Sequence, residues 1–328
     1  MKKVVLSVVA ALAVSAAPAF AADMPAKKAA KVAPVAAPSP WDIAFGSAIM
    51  SDYVFRGITQ SAHQPSVAAY FEPRYTVNNW QLYAGIAGES IKFANNATGE
   101  IDFYGGVRPT FGPLALDFGY FQYYYPGGQC YGTGFIQSLD PGCLPGLFNT
   151  NVTKRVASFY ELYAKATYTA GDWAFGPTFY YAPNFLNTGA EGEYLSGIVK
   201  FTAPANMAIF KDIGWYVSGE YGHQWLGTSD PFYGNVNFPN GIPEPDYSTW
   251  NVGLGFTWKV FTLDLRYSDS DLSKTECNAF TSDPNGTLSP ANVTAINFGT
   301  GTKAPASNWC GATFIAKLSA DLTLGSLK

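Results

Sequence analysis

From Trp41 to Leu322 the chain alternates apolar and polar residues with a period of two, and its ionisable side chains keep to one face. This pattern restricts the possible fold more than any other feature. In the first segment Trp41, Ile43, Phe45, Ile49, Tyr53 and Phe55 share one parity, and Asp42, Asp52 and Arg56 take the other. In the second, Val67, Ala69, Phe71, Tyr75 and Val77 alternate with Ser66, Tyr70, Glu72, Arg74 and Thr76. The same reading continues through Trp80–Ile91, Glu100–Phe111, Leu114–Tyr125, Val156–Tyr168, Trp173–Pro183 and Tyr194–Phe201. It then runs through Ile213–Trp225, Tyr247–Trp258, Phe261–Ser268 and Ala312–Leu322, which makes twelve strands. Within these segments every Asp, Glu, Lys and Arg falls opposite the apolar face. A slip of one residue would exchange the faces, so two or three agreeing charges per strand carry information. Lipid enforces such a rule because a charge facing it at mid-depth costs about 2–4 kcal/mol; a soluble surface does not. The expected fold is all-β, a transmembrane antiparallel up-and-down barrel of the outer-membrane type.

Loop lengths agree with that reading. Asn78-Asn79, Gly112-Pro113, Ala170 to Asp172 and Lys259-Val260 are tight, and Thr202–Asp212 is the one looser turn on that side. The intervening connections are longer: Gly57–Pro65, Lys92–Gly99, Pro126–Arg155, Asn184–Glu193, Leu226–Asp246 and Asp269–Gly311. Outer-membrane barrels have short periplasmic turns and long external loops, and an even strand count leaves both termini periplasmic. Trp41, Tyr75, Trp80, Phe111, Tyr168, Trp173, Trp215, Trp258 and Phe261 gather near the short turns. Amphipathic rings at one level form an interfacial girdle.

The first forty residues read differently. Met1–Ala21 has a Lys2-Lys3 start, an apolar Val4–Ala17 run and an Ala19-Phe20-Ala21 end, the pattern of a secretory signal for export through the Sec pathway. Residues 22–40 are rich in Ala, Pro and Lys without apolar periodicity, as in a periplasmic tether, and the barrel takes 41–328. Five of the 20 basic residues and one of the 24 acidic ones lie in 1–40, so the barrel carries 15 against 23. That acidic balance, with no basic patch, argues against a nucleic-acid partner. Four cysteines in an exported chain point to disulfides. Of three possible connectivities, Cys130–Cys143 and Cys277–Cys310 each close within one long connection.

Catalytic patterns are sparse. Only His63 and His223 are present; His63 is followed by Gln64 and Pro65 and His223 by Gln224 and Trp225, so neither opens a His-x-Ser pair, and neither Pro65 nor Tyr221 is the Asp of a protease-like pair. An acyl hydrolase needs its base within reach of the nucleophile. Asp269 and Asp271 are read as a solvated loop entrance, and no cluster has metal-ligand spacing. No enzymatic role, cofactor or metal is expected. The remaining constellation is the inward face. Its candidate pore-lining cations are Arg56, Arg74, Arg108, Lys165, Lys200, Arg266 and Lys317. The acidic candidates are Asp52, Glu72, Glu89, Asp102, Asp117, Glu161, Glu220 and Asp264, with Asp42 and Asp321 near the ends. Rings of charge keep a lumen hydrated and tune ion passage. Equally, such groups can pair across a narrow bore and close it. If the first two strands pair antiparallel, Glu72 and Arg74 come within reach of Asp52, and with Arg56 they would form a constriction.

Ser51–Ser61 reads SDYVFRGITQS. It resembles the N-terminal signature of the TorF family of porins, proteobacterial conserved outer-membrane proteins, through Ser51, Asp52, Tyr53, Phe55, Arg56, Gly57, Thr59, Gln60 and Ser61. Tyr123-Tyr124-Tyr125-Pro126-Gly127 resembles the family as well. The connections bearing cysteines are long for that family, and the chain ends on Leu327-Lys328 where many barrels end on Phe. The resemblance implies a channel whose solutes are not established. Together the readings suggest passive diffusion of small hydrophilic solutes or ions in the bacterial outer membrane, the alternative being a closed barrel that binds an external partner through its loops. Outer-membrane lipid and the barrel-assembly machinery are the other expected partners.

Overall fold

The computed structural model describes residues 39–129, 153–234, 237–281, 283, 287–290 and 303–327. The expected signal segment (residues 1–21), residues 22–38 of the expected tether, and Cys130 and Cys143 with their expected pairing lie outside the described residues. The described chain forms a closed antiparallel barrel of twelve strands. In chain order these are β1 (Trp41–Met50), β2 (Ser66–Val77), β3 (Trp80–Glu89), β4 (Glu100–Phe111), β5 (Leu114–Tyr124) and β6 (Phe159–Ala170). They continue as β7 (Trp173–Ala182), β8 (Gly192–Thr202), β9 (Gly214–Leu226), β10 (Tyr247–Trp258), β11 (Phe261–Ser270) and β12 (Thr313–Thr323). Each strand pairs with its sequence neighbour, and β1 closes the wall against β12 from Ala44↔Thr323 to Met50↔Lys317. Closure leaves no free edge, so the wall's peptide groups pair within the wall except where the ladder is interrupted near Pro73, Pro109 and Pro177.

Two-residue hairpin loops fix the register at one end. Val77↔Trp80, Phe111↔Leu114, Ala170↔Trp173 and Trp258↔Phe261 flank Asn78-Asn79, Gly112-Pro113, Gly171-Asp172 and Lys259-Val260. The first residue of each pair has positive φ, between 53° and 60°. Left-handed turns of this kind match the twist of paired strands, which is why Asn and Gly recur there. β8 and β9 are joined instead by 203–213, which holds a turn of 3-10 helix at Ala205–Met207.

The two faces of the wall separate as lipid demands. Leu82, Phe103, Leu162, Phe175, Val199, Val252 and Leu265 project outward and are exposed. Aromatic pairs cluster at the short-turn end: Trp41 with Tyr75, Trp80 with Phe111, Trp173 with Phe201, and Trp258 with Phe261. Among the strand residues, only Glu193 and Asp269 carry charge on the outward parity. Both sit at the far end from the girdle, opposite Trp225 and Trp250, where a carboxylate reaches the headgroup region. They escape notice in the sequence because β8 and β11 run two residues further outward than their apolar alternation suggests.

One expectation is corrected. The first strand stops at Met50 and does not run through Tyr53 and Phe55. Phe55 is buried inside the barrel, not outward on the wall. The reason lies in Arg56-Gly57, which bends the chain back into the lumen.

A hairpin folded into the lumen as the candidate functional site

Val54–Phe55 and Ile58–Thr59 pair as a miniature hairpin whose two-residue loop is Arg56-Gly57. Their φ values of +46° and +76° are the signature of a type I′ turn. Glycine takes this conformation freely and arginine does not, so side-chain contacts must hold Arg56 there. They do. Its guanidinium forms a two-pronged pair with Glu161 of β6, Nη1 to Oε1 and Nη2 to Oε2, each 2.9 Å. Nη1 also donates to Gln224 Oε1 of β9 at 2.8 Å. The rings of Phe55, Tyr180 and Tyr194 lie 4.3–4.9 Å from the guanidinium carbon. The Arg56 and Glu161 side chains are 2% and 1% exposed. A residue from the connection after β1 is thus clamped to the far wall of the barrel.

The hairpin is also held from outside. Thr59 N–H donates to the Trp309 carbonyl at 2.9 Å, and Ile58 forms a β-bridge with Cys310. Cys310 is disulfide-bonded to Cys277 of the helix α1 (Lys274–Thr281), with 5.8 Å between Cα atoms. The pairing expected for these two cysteines is therefore present, and it braces the segment that carries the hairpin. Asp52 accepts hydrogen bonds from Thr59 and Ser61 and pairs with His63 Nδ1 at 2.7 Å, while His63 Nε2 lies 2.8 Å from the Asn308 carbonyl. The hydrogen bond to Asp52 raises the imidazole's pKa above its ordinary value against the opposing effect of partial burial.

The expected cluster of Asp52 and Arg56 with Glu72 and Arg74 does not form. Asp52 stays within its own connection and Arg56 crosses to Glu161. Glu72 instead accepts from Arg74 and from Arg108 Nη1 at 2.8 Å, and Arg108 Nε donates to Asp117 Oδ2 at 3.1 Å. Arg108 stacks on Tyr83, whose hydroxyl meets that of Tyr163 along the inner wall, over Gly106 and Gly119 of the strands between them. On the opposite wall Arg266 donates to Asp264 Oδ2 at 3.0 Å and to Ser218 at 2.9 Å, and Lys200 lies over Tyr216. Lys165 lies over Tyr163 and Tyr180. Glu89, Asp102, Glu220 and Lys317 take inward positions on β3, β4, β9 and β12. Between the hairpin and the β8–β12 wall remains a cavity of about 220 Å³, lined by Arg56, Glu89, Glu220, Asp264, Arg266 and Lys317 among others. The wall candidates take the inward parity of their strands, Arg56 sits in the hairpin's turn, and Asp52 lies in the connection leading into it.

Several contributors were not singled out from sequence. Glu100 shares the parity of Asp102, a signal that was present. Gln224, Tyr180 and Tyr194 are ordinary inward residues whose role depends on where Arg56 arrives, which no local pattern encodes. His223 Nδ1 lies 3.0 Å from Ser248 Oγ, a contact between neighbouring strands that same-strand spacing cannot predict.

A family model described as a bacterial protein of unknown function (Gcw_chp) matches residues 35–160, a little over a third of the chain and including the Ser51–Ser61 run. Curated protein sequences contain no match. Among solved structures, the Vibrio cholerae outer-membrane protein OmpT aligns at 12% identity and a TM-score of 0.36, covering 88% of this chain and 100% of that one. The NanC porin aligns at 9% identity and 0.37, covering 86% and 98%. A chain from a study of in-meso crystallisation of membrane proteins aligns at 6% identity and 0.42, covering 87% and 84%.

Proposed function

We propose that this barrel is a porin-like channel of the bacterial outer membrane, with both termini periplasmic, in which the Ser51–Ser61 hairpin narrows the path for small hydrophilic solutes or ions. The observation that carries this reading is the contrast between an apolar outer wall and a charged inner one that retains a cavity beside Arg56. A polar lining keeps a lumen hydrated, and charge at the narrowest point sets selectivity. Acidic residues outnumber basic ones in the barrel, which favours a weak preference for cations. The resemblance to the TorF signature supports the same reading, with the added proposal that the signature's role is to build the internal constriction. Nothing in this function calls for a cofactor or a catalytic cycle.

Planar-bilayer recording tests it. The wild-type chain is expected to give small, weakly cation-selective single-channel events, and Arg56→Ala is expected to enlarge them. Unchanged conductance and selectivity in Arg56→Ala would refute the assignment of the constriction.

The second reading, a closed surface-interaction barrel, draws on the fully buried Arg56–Glu161 pair that ties the hairpin across the lumen. Liposome swelling with small sugars separates the two. Swelling supports the channel, and its absence in both wild type and Arg56→Ala supports the closed barrel.

A further inference from the structure

The pairing of β3 with β4 sets Glu89 directly opposite Glu100, with Asp102 two residues along on the same inward face. Like charges directly opposite each other in a sheet repel. Here the repulsion is compounded, because one carboxylate oxygen from each of the three lies within 4.8 Å of the other two. Water does not relieve it: Glu100 and Asp102 are each 2% exposed. Burying several carboxylates together is costly unless a counter-charge or full hydrogen bonding compensates.

Hydrogen bonding is not complete. Asp102 Oδ1 and Glu89 Oε2 are both buried and have no hydrogen-bond partner. The Tyr53 hydroxyl donates to Glu100 Oε1 at 2.7 Å, and Tyr125 also bonds to Glu100. Those donors serve one carboxylate and leave the open oxygens of the other two unserved. A proton shared between Glu89 and Asp102 would neutralise one of the three charges and still leave two negative charges buried together. Lys317 is near enough to act on Glu89 electrostatically, yet a single ammonium does not balance three carboxylates.

We propose that Glu89, Glu100 and Asp102 form a binding site for one hard divalent cation of the calcium class in the external half of the lumen. The donor set decides the class: every ligand is a carboxylate oxygen, with tyrosine hydroxyls alongside, and no thiolate or imidazole contributes. All-oxygen sets with two or three carboxylates suit calcium or magnesium over zinc or copper. Calcium tolerates irregular geometry and several carboxylates, which fits a site built on two neighbouring strands. Because Tyr53 leads into the lumenal hairpin, an ion here also ties the hairpin's root to the β3–β4 wall. The site does not depend on whether the barrel conducts.

Terbium luminescence tests the site on the purified, folded full chain in detergent micelles, washed with chelator. Terbium replaces calcium at oxygen sites, and Tyr53 and Tyr125 are placed to sensitise it. A saturable emission that calcium displaces is expected, with affinity falling about tenfold or more in Glu89→Gln/Asp102→Asn as ligand charge is lost. Neutralising the outward acids, in Glu193→Gln/Asp269→Asn, is expected to leave it unchanged. Heat-modifiable gel mobility confirms that each variant is folded. If the double variant fails to fold, calcium against chelator on the wild type gives the answer through the melting temperature, which is expected to rise with calcium. No saturable emission, equal affinity in the folded double variant, or no calcium-dependent shift in melting would overturn the proposal.

Discussion

Glu161→Gln is the substitution that most directly tests how dry the lumen is around the hairpin. It changes shape little but removes the only carboxylate that the described hydrogen bonds give Arg56. In the native barrel that carboxylate accepts both prongs of the guanidinium at 2.9 Å, and the two side chains are 2% and 1% exposed. Losing one member of a buried pair leaves the other charged and uncompensated, at a cost of about 3–5 kcal/mol. Gln224 Oε1 and the surrounding rings keep some hold on Arg56, so the lower half of that range is expected. Adding Arg56→Met removes the stranded charge and is expected to restore most of the loss, since buried pairs are often replaceable by apolar groups of similar volume. Reversible urea unfolding of the barrel in detergent, run on wild type, both single variants and the double variant, measures the coupling. A cost below about 1 kcal/mol for Glu161→Gln would mean that Arg56 is solvated like a surface charge, and the description of a clamped hairpin would fail.

Further tests follow from the turn, the wall, the imidazole and the disulfide. Gly57→Val puts a branched side chain at φ +76°, where an added Cβ would meet Ser270 Cβ at 2.8 Å and the Asp269 carbonyl at 3.0 Å; the expected loss is about 1–3 kcal/mol, with increased bilayer conductance. Leu265→Arg sets a charge on the outward face of β11 between Leu254 and Ala316, and unfolding titrations are expected to show about 2–4 kcal/mol of destabilisation. Because His63 is more basic in the fold than in the unfolded chain, its pairing with Asp52 stabilises fully below pH of about 6.5 and fades as pH rises through the higher folded-state pKa. The melting difference between wild type and His63→Gln is therefore expected to be largest at pH 5.5 and smallest at pH 9. Non-reducing peptide mapping is expected to recover a Cys277–Cys310 linked pair.

Strand number, parity and turn positions were legible because lipid leaves no freedom. Leu263 and Leu265 must point out if Asp264 and Arg266 point in, and the tight Lys259-Val260 turn then sets the register with β10. The hairpin was not legible for the same reason turned around. Tyr53 and Phe55 continue the parity of Ile43 and Phe45, so alternation alone extends the strand. What breaks it is a conformation, the left-handed Arg56-Gly57 turn, whose stabilising partners Glu161 and Gln224 lie 105 and 168 residues away. The charge pattern marked Arg56 and Glu161 as inward but could not say which acid each cation would choose. It also could not show that Asp52 would remain inside its own connection with His63.

The barrel's fold requires an outer wall bathed in lipid and an inner wall shielded from it. Power-saturation EPR on nitroxide labels placed one at a time along Leu263–Tyr267, in the barrel reconstituted in lipid bilayers, reads this residue by residue. Labels at 263, 265 and 267 are expected to collide with dissolved oxygen and not with a water-soluble nickel complex, while labels at 264 and 266 respond weakly to oxygen. Equal oxygen accessibility at all five positions, or strong nickel accessibility at 265, would contradict it.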